Sequence, residues 1–469
     1  MLTIPRLVIA GTASGVGKTT VMVGLCRALR ARSLKVALFK AGPDYLDPTY
    51  HARAAGSPSH TLDGWMMGRD AVLDTFASVA QHADVALIEG VMGLFDGASP
   101  IGEDGSTAQI AKWLRAPVVI VVDASGMART LAAIVHGMAT FDPELQISGV
   151  ICNLVGSRGH LKLLQEAVVG TAVFGGLPNE RSLAFPERHL GLHTADEESV
   201  PEALLDEWGK RVEEWCDIDS LIALARSAPL LDPGAGTYRE TFVAGKSALR
   251  CRIGIARDAA FHFYYEDNLR RLQALGADLI PFSPLSDGRL PEVDGLYLGG
   301  GYPEVHAAAL AGNLSMKAEI AAFAAARKPI YAECGGLMYL TRGIRALDGQ
   351  RHDMVGLIPA EAVLHSRLQA LGYVEVETLA PTILGAAGLR FRGHQFRYSE
   401  LRLETEEIHC TYRLKRRRAG ELQLEGYSSG NVLASYVHAH WASNPEAAAG
   451  FVEACVDPPG NTQDWPISL

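Results

Sequence analysis

The chain has 469 residues, 48% hydrophobic and 20% charged, too long for one ordinary core and typical in composition of a globular protein of two or three domains. A net charge of −10 argues against a nucleic-acid footprint, and no apolar run approaches the ~20 residues that span a bilayer, so neither nucleic acid nor membrane is an expected partner. Seven scattered cysteines without a C-x-x-C pair argue against a disulfide framework or a structural zinc site; with an N-terminus that lacks a signal-peptide layout, they predict a cytoplasmic protein.

Leu7 to Ala10 reads as a short buried strand running into Gly11-Thr12-Ala13-Ser14-Gly15-Val16-Gly17-Lys18-Thr19-Thr20 and then a helix to about Arg30. This is the layout of a phosphate loop. Glycines let backbone N–H groups converge on phosphate oxygens, Lys18 reaches the β and γ phosphates, and Thr19 can ligate Mg²⁺. The leading glycine falls one residue early relative to G-x-x-x-x-G-K-[ST], so the loop carries one extra residue. The alternative is a glycine-rich turn with a solvated lysine.

The next strand, Leu34 to Phe39, ends at Lys40-Ala41-Gly42-Pro43-Asp44-Tyr45-Leu46-Asp47-Pro48. Loops after parallel strands form the ligand face of an α/β sheet. Lys40 there suggests a cation for an anionic substrate or phosphate, and Asp44 and Asp47 carboxylates for Mg²⁺; a merely solvated loop is the alternative. Asp84 to Gly90 is a further strand with Glu89 at its end, where a second Mg²⁺ contact is expected. Its loop continues through Asp96. A helix from Gly105–Ala108, a strand Pro117–Val122 ending at Asp123, and a strand Ile147–Asn153 repeat the alternation, which predicts a mostly parallel, helix-wrapped sheet.

The Pro/Gly-rich, aperiodic stretch 231–247 reads as a linker between domains spanning 1–230 and 248–469. Arg252–Ala256 opens a second α/β unit. Gly295–Leu298 feeds Gly299-Gly300-Gly301-Tyr302-Pro303-Glu304, whose side-chain-free N–H groups suit an oxyanion hole. Pro329 to Met338 describes a strand, a sharp turn at Cys334-Gly335-Gly336, and a helix whose N-terminal field favours thiolate. An inert buried thiol is the alternative. Val432 to His440 reads as one strand delivering His438 at its end, the base that a nucleophilic thiol requires. Gly393 to Ser399 reads as a polar-aromatic loop, placed for a ligand or domain-interface contact or for a structural role. The run Arg413–Arg418 reads as a solvated hairpin edge.

Glycine loop, then Cys-Gly-Gly, then a late histidine resembles the class I, triad-type glutamine amidotransferases. The resemblance implies Cys334 and His438 as catalytic residues, with Gly300, Gly301 and Gly335 forming the oxyanion hole. Such enzymes place a carboxylate two residues after the histidine, where this chain has His440. Either His440 orients His438 or the base is a dyad.

The first half resembles the dethiobiotin-synthetase-like ATP enzymes, whose loop shares the extra residue. Lys40–Pro48, Leu62–Met67, Glu89–Gly97, Val122–Arg129, Arg188–Leu192 and Phe261–Leu269 together resemble the cobyrinic acid a,c-diamide synthase family over nearly the whole chain. The resemblance implies a P-loop, mostly parallel α/β domain followed by a class I amidotransferase α/β domain. It implies ATP contacts at Gly11, Thr12, Ser14, Gly15, Gly17, Lys18, Thr19, Thr20 and Asn153. The substrate and phosphoryl-transfer site would use Lys40, Asp44, Tyr45, Leu46, Asp47 and Asp96, with Mg²⁺ held by Thr19, Asp44 and Glu89.

The implied activity is ATP- and glutamine-dependent amidation of the a and c acetates of cobyrinic or hydrogenobyrinic acid, a corrinoid tetrapyrrole, in cobalamin biosynthesis. An acyl phosphate would accept ammonia released by the glutaminase, along a protected route between the sites. Nickel-sirohydrochlorin a,c-diamide synthase and cobyric acid synthase share the scaffold and stand as alternatives. So does a partitioning-type P-loop ATPase, although its extra early lysine is missing at Thr12 and Ala13. A homodimer is compatible with the sequence.

Overall fold

A computed structural model describes residues 2–180, 200–232, 248–404, 409–417, 420 and 422–459. The chain divides into two compact units, Met1–Arg239 and Glu240–Leu469. Arg188–Leu192 and most of the expected linker lie outside the described residues.

In the first unit seven described strands form one parallel sheet: β1 (Arg6–Gly11), β2 (Val36–Ala41), β3 (Ser59–Leu62), β4 (Val85–Glu89), β5 (Val118–Asp123), β6 (Ile147–Val155) and β7 (Ala172–Pro178). The spatial order is β3-β2-β4-β1-β5-β6-β7. The central strands are runs of Val, Ile, Leu and Ala buried on both faces, as a helix-covered parallel sheet demands; the edge strand β3 is Ser-His-Thr-Leu, and β7 at the other edge starts exposed. The chain leaves central β1 towards β2 and β4 on one side and returns to β5 on the other. The carboxyl ends of β1, β2 and β4 therefore meet at the switch of direction where such sheets bind ligands. Register sets the details: Glu89 pairs with Ile9 on one side and Lys40 on the other. Helix α1 (Lys18–Ala31) starts at Gly17, and its Val21, Leu25 and Leu29 join the core with Trp208 and Val212.

The second unit is mixed. A ten-stranded sheet contains β8 (Cys251–Ala256), β9 (Ala277–Phe282), β10 (Gly295–Leu298), β11 (Ile330–Glu333), β15 (Ala370–Thr378), β16 (Arg390–Arg397), β18 (Cys410–Arg416), β19 (Leu422–Ser429), β20 (Val432–Ser435) and β21 (His438–His440). Its order is β21-β16-β15-β18-β19-β20-β11-β10-β8-β9, with parallel pairing from β20 to β9 and antiparallel pairing over the rest. A smaller four-stranded sheet is formed by β12 (Thr341–Arg345), β13 (Arg351–Asp353), β14 (Ile358–Leu364) and β17 (Ser399–Leu403).

Three expectations change here. Gly393–Ser399 is not a loop: β16 runs through Arg397 and β17 begins at Ser399. Val432–His440 is not one strand: β20 stops at Ser435, and β21 pairs at the far end of the sheet with β16. The buried Glu425 makes the break by accepting the Tyr436 N–H and the Ser435 hydroxyl, which turns the chain out of β20. The arginine run is not an edge either. β18 is paired on both sides, and Arg413 meets Glu377 across the sheet at 3.2 Å. No helix among the described residues is long and apolar enough to cross a membrane.

Candidate active sites in the two units

The phosphate loop of the first unit leaves Ala13, Ser14 and Gly15 exposed, with Thr12 and Thr20 half-buried. Gly17 caps α1 in the left-handed region at φ 91°, and a Cβ there would stand 2.0 Å from Asn153 Nδ2. Asn153 in turn donates from Nδ2 to the Val16 carbonyl at 3.0 Å, so the end of β6 holds the loop in shape. Lys18 folds back and donates to the Ala13 carbonyl at 2.9 Å, within the concavity that its loop encloses.

Behind the loop, the buried Glu89 is the hub. Its Oε1 accepts from the Thr19 hydroxyl at 2.9 Å and from Lys40 Nζ at 3.1 Å, and its Oε2 meets His51 Nε2. Lys40 also donates to Asp47 Oδ2 at 2.7 Å and lies 3.8 Å from Asp44 Oδ2. Burial alone would raise the Glu89 carboxyl, but Lys40 and His51 outweigh it and hold it below the usual range. Burial likewise opposes the charge of Lys40, and Asp47, Glu89 and Asp44 overcome it, so the ammonium stays protonated. Asp44 is pushed up to about 6 by burial and by Asp47, against the pull of Lys40. The cluster is thus rich in acid and suited to cations.

The structure brings Lys40, Asp44, Asp47, Thr19 and Glu89 together. Asp44 Oδ1 accepts the Leu46 and Asp47 N–H groups at 2.8 and 3.1 Å, with Tyr45 half-buried between them. Asp96 accepts the Gly93 N–H at 2.9 Å and so shapes the loop whose Leu94 N–H bonds the Gly11 carbonyl at 2.8 Å. Thr19 Oγ1 and Glu89 Oε1 are hard oxygen donors side by side below the loop, and they fit Mg²⁺, which takes one or two protein oxygens and draws the rest from phosphates and water. Among the described residues no cluster of three or more His, Cys, Asp or Glu stands ready for a metal. His51 was not legible in the sequence. It lies on the helix Asp47–Ala55 that follows β2, is fully buried, and meets Ser59 Oγ on β3 at 3.2 Å and Glu89 on β4, so only the packing of that helix on the sheet brings it there.

In the second unit Cys334 sits between β11 and the helix Gly335–Leu340 with φ 47° and ψ −99°, a strained corner of the kind that presents nucleophiles. Its N–H is fixed on the Ser435 carbonyl at 2.7 Å, and its thiol lies 4.0 Å from the Phe396 carbonyl. Burial pushes the thiol up to about 12, with Glu304 acting in the same sense; Arg397 and the Gly335 N–H pull the other way. Arg397 lies over the Tyr436 ring at 4.5 Å.

The glycine loop is wedged between this corner and the histidine. A Cβ on Gly300 would stand 2.5 Å from His438 Cε1, and one on Gly335 would stand 3.0 Å from the Gly301 nitrogen. The Gly300 N–H donates to the Phe263 carbonyl at 3.3 Å. Gly300 is therefore not an open oxyanion donor; its missing side chain makes room for the imidazole, and the expected donor set narrows to Gly301 and Gly335. His438 is buried, and burial lowers its imidazole to about 3. It stacks on His394 at 5.1 Å, whose Nδ1 is 3.1 Å from the Tyr265 hydroxyl. Burial also holds His440 down, to about 4; its ring packs on Tyr265 at 4.6 Å and its Nδ1 accepts the Ala442 N–H at 3.4 Å. Of the 393–399 stretch, His394 thus stacks on His438, while the Phe396 carbonyl and Arg397 lie by Cys334.

Residues 7–192 match the family model described as the CobQ/CobB/MinD/ParA nucleotide binding domain, and residues 252–446 match the CobB/CobQ-like glutamine amidotransferase domain. Among curated relatives, the chain is 52% identical over 454 residues to the cobyrinate a,c-diamide synthase of Leptospira interrogans, covering 97% of this chain and 99% of that one. The synthase of the same name from Syntrophotalea carbinolica is 48% identical, with 96% and 98% covered. That from Dehalococcoides mccartyi is 42% identical, with 97% and 98% covered.

Proposed function

The chain belongs to the cobyrinate a,c-diamide synthase family, and from that premise we propose that it converts the a and c acetates of cobyrinic or hydrogenobyrinic acid to amides, using ATP and glutamine. The observation that carries this reading is the pairing, in one chain matched over 97% of its length by such a synthase, of a phosphate loop backed by Lys40, Glu89 and His51 with a Cys-Gly-Gly corner and a buried histidine that pack against the same glycine loop. Free cysteines throughout accord with a cytoplasmic enzyme.

A carboxylate and ammonia form a salt, so the acid must be activated. In the first unit, Lys18 leaves the Ala13 carbonyl for the β and γ phosphates, and the Gly11–Thr20 backbone holds the triphosphate. A substrate acetate oxygen attacks the γ phosphorus, the bond to the β–γ bridging oxygen breaks, and ADP leaves an acyl phosphate. Thr19 and Glu89 would hold Mg²⁺, with Asp44 able to join them, and the ion supplies charge neutralisation for that transfer. Lys40 keeps Asp47 and Glu89 in place against their mutual repulsion. Ammonia then attacks the acyl carbon, phosphate departs, and the amide remains.

In the second unit, Cys334 and His438 are both neutral at rest. The thiol proton passes to His438 as sulfur attacks the glutamine side-chain carbonyl, and the oxyanion forms against the Gly301 and Gly335 N–H groups. His438 returns the proton to the leaving ammonia. Water clears the glutamyl thioester and glutamate is released.

Two variants test the division of labour. Lys18→Ala abolishes macrocycle amidation while glutamine hydrolysis persists; full synthesis by this variant would remove the phosphate loop from the reaction. Cys334→Ser loses glutamine-dependent synthesis and keeps ammonium-dependent synthesis; unimpaired use of glutamine would overturn the Cys334 assignment.

A further inference from the structure

The carboxylate that immediately precedes the nucleophile has no part in the chemistry above. Glu333 closes β11 and is buried. Its Oε2 accepts from the Tyr297 hydroxyl at 3.0 Å; its Oε1 accepts from the Tyr331 hydroxyl at 2.8 Å and from the Ala439 N–H at 3.1 Å. Ala439 lies between His438 and His440 on β21, which has three residues and stands at the end of the sheet with β16 as its one sheet neighbour.

In an antiparallel pair, alternate residues turn their N–H and C=O towards the neighbouring strand, and those between them turn away. Ala439 is one that turns away. On an open edge its backbone groups would face solvent or stay without partners. Here the N–H goes to Glu333, and the carbonyl accepts from Asn268 Nδ2 at 2.8 Å. Asn268 Oδ1 accepts the Trp441 N–H at 2.9 Å, so two buried side chains replace the missing strand. Of the two, Glu333 alone is continuous in sequence with the nucleophile.

We propose that Glu333 is a positioning residue of the glutaminase site: it takes over the work of the carboxylate that triad enzymes place two residues after the histidine, and it does so by gripping the backbone of the histidine's strand. The residue at that sequence position, His440, faces Tyr265. Because Glu333 and Cys334 are adjacent, the same strand end sets both the sulfur and the strand that carries the base. A carboxyl is the fitting acceptor, since its two oxygens take three donors and reach the Ala439 N–H from the end of β11. Burial pushes this carboxyl up to about 7, with the two tyrosine hydroxyls and the Ala439 N–H pulling the other way.

The inference rests on the Cys334–His438 reading, and the test separates the two. Glu333→Gln keeps the length of the side chain and an acceptor oxygen; Glu333→Asp keeps the charge but withdraws the acceptor by one methylene. Glutaminase kcat, KM for glutamine, ammonium-dependent amidation and the thermal midpoint are measured for both, beside Cys334→Ser. A shift of the base by about 1 Å costs on the order of 100-fold. The expected result is therefore a kcat for Glu333→Asp lower by roughly that factor, with KM within about threefold, full ammonium-dependent synthesis and a preserved thermal midpoint. Glu333→Gln keeps kcat within about fivefold. The proposal is overturned if Glu333→Asp retains kcat, if the loss lies in KM alone, if ammonium-dependent synthesis falls in parallel, or if Glu333→Gln is as impaired as Glu333→Asp. Continued use of glutamine by Cys334→Ser would instead overturn the reading beneath it.

Discussion

Gly17 shows how much a single position can carry. Its φ of 91° is a conformation that side-chain-bearing residues rarely adopt, and the space beside it is filled by the Asn153 amide at 2.0 Å from a would-be Cβ. Gly17→Ala should weaken ATP binding at least about tenfold, because strain in the loop and displacement of Asn153 act together; calorimetric titration with a non-hydrolysable ATP analogue checks it. The glycines, Lys18 and Thr19 were legible in the sequence because a phosphate loop is a local pattern. His51 and Glu333 were not, because each acts on a residue or strand that is distant in sequence and brought near only by tertiary packing.

The resting Cys334–His438 pair makes a second prediction at this scale. With burial holding the thiol at about 12 and the imidazole at about 3, neither group changes charge between pH 5 and 9. Below its pKa a thiol gains thiolate tenfold per pH unit. Alkylation of Cys334 by a neutral reagent, without glutamine, should therefore rise about tenfold per pH unit across that window with no plateau. A plateau near neutrality would mean a standing thiolate–imidazolium pair.

Elements depend on side chains that tie them to distant chain. Arg6 on β1 is fully buried and donates to the Leu114 carbonyl at 2.6 Å, the Ile4 carbonyl at 2.8 Å and the Pro229 carbonyl at 2.6 Å. Burial and the nearby Arg115 lower its guanidinium to about 10, still charged at neutral pH. Arg6→Met would strand those carbonyls and should destabilise the first unit by about 3 kcal/mol, read from the urea midpoint. Five of the seven described strands of the first unit followed from apolar runs between glycine-rich turns, since a parallel sheet covered on both faces leaves a plain signature; β3 (Ser-His-Thr-Leu) and β7, at the sheet's two edges, lack that signature and were not legible. The second unit was harder. The β20–β21 break depends on Glu425 reaching Tyr436 from a neighbouring strand, and no local pattern in Val432–His440 announces it. Gly300→Ala probes the same region: its Cβ would strike His438, so glutaminase kcat should fall on the order of 100-fold while ammonium-dependent synthesis persists.

Across the whole molecule, two folds with separate chemistries share one chain. The match to the Leptospira interrogans synthase runs through both, over 97% of this chain. Activation of the acid and release of ammonia are each ordinary for the residues present. The combination makes a ligase, since neither half forms an amide from a carboxylate and glutamine by itself. Each half should therefore be separable by one substitution that leaves the other working.

Mass spectrometry of the macrocycle after incubation of Cys334→Ser with ATP, Mg²⁺ and cobyrinic acid, once with glutamine and once with ammonium, tests that separation most directly. The expected result is a diamide with ammonium and unchanged substrate with glutamine. A diamide formed from glutamine, or no amide from ammonium, would contradict it.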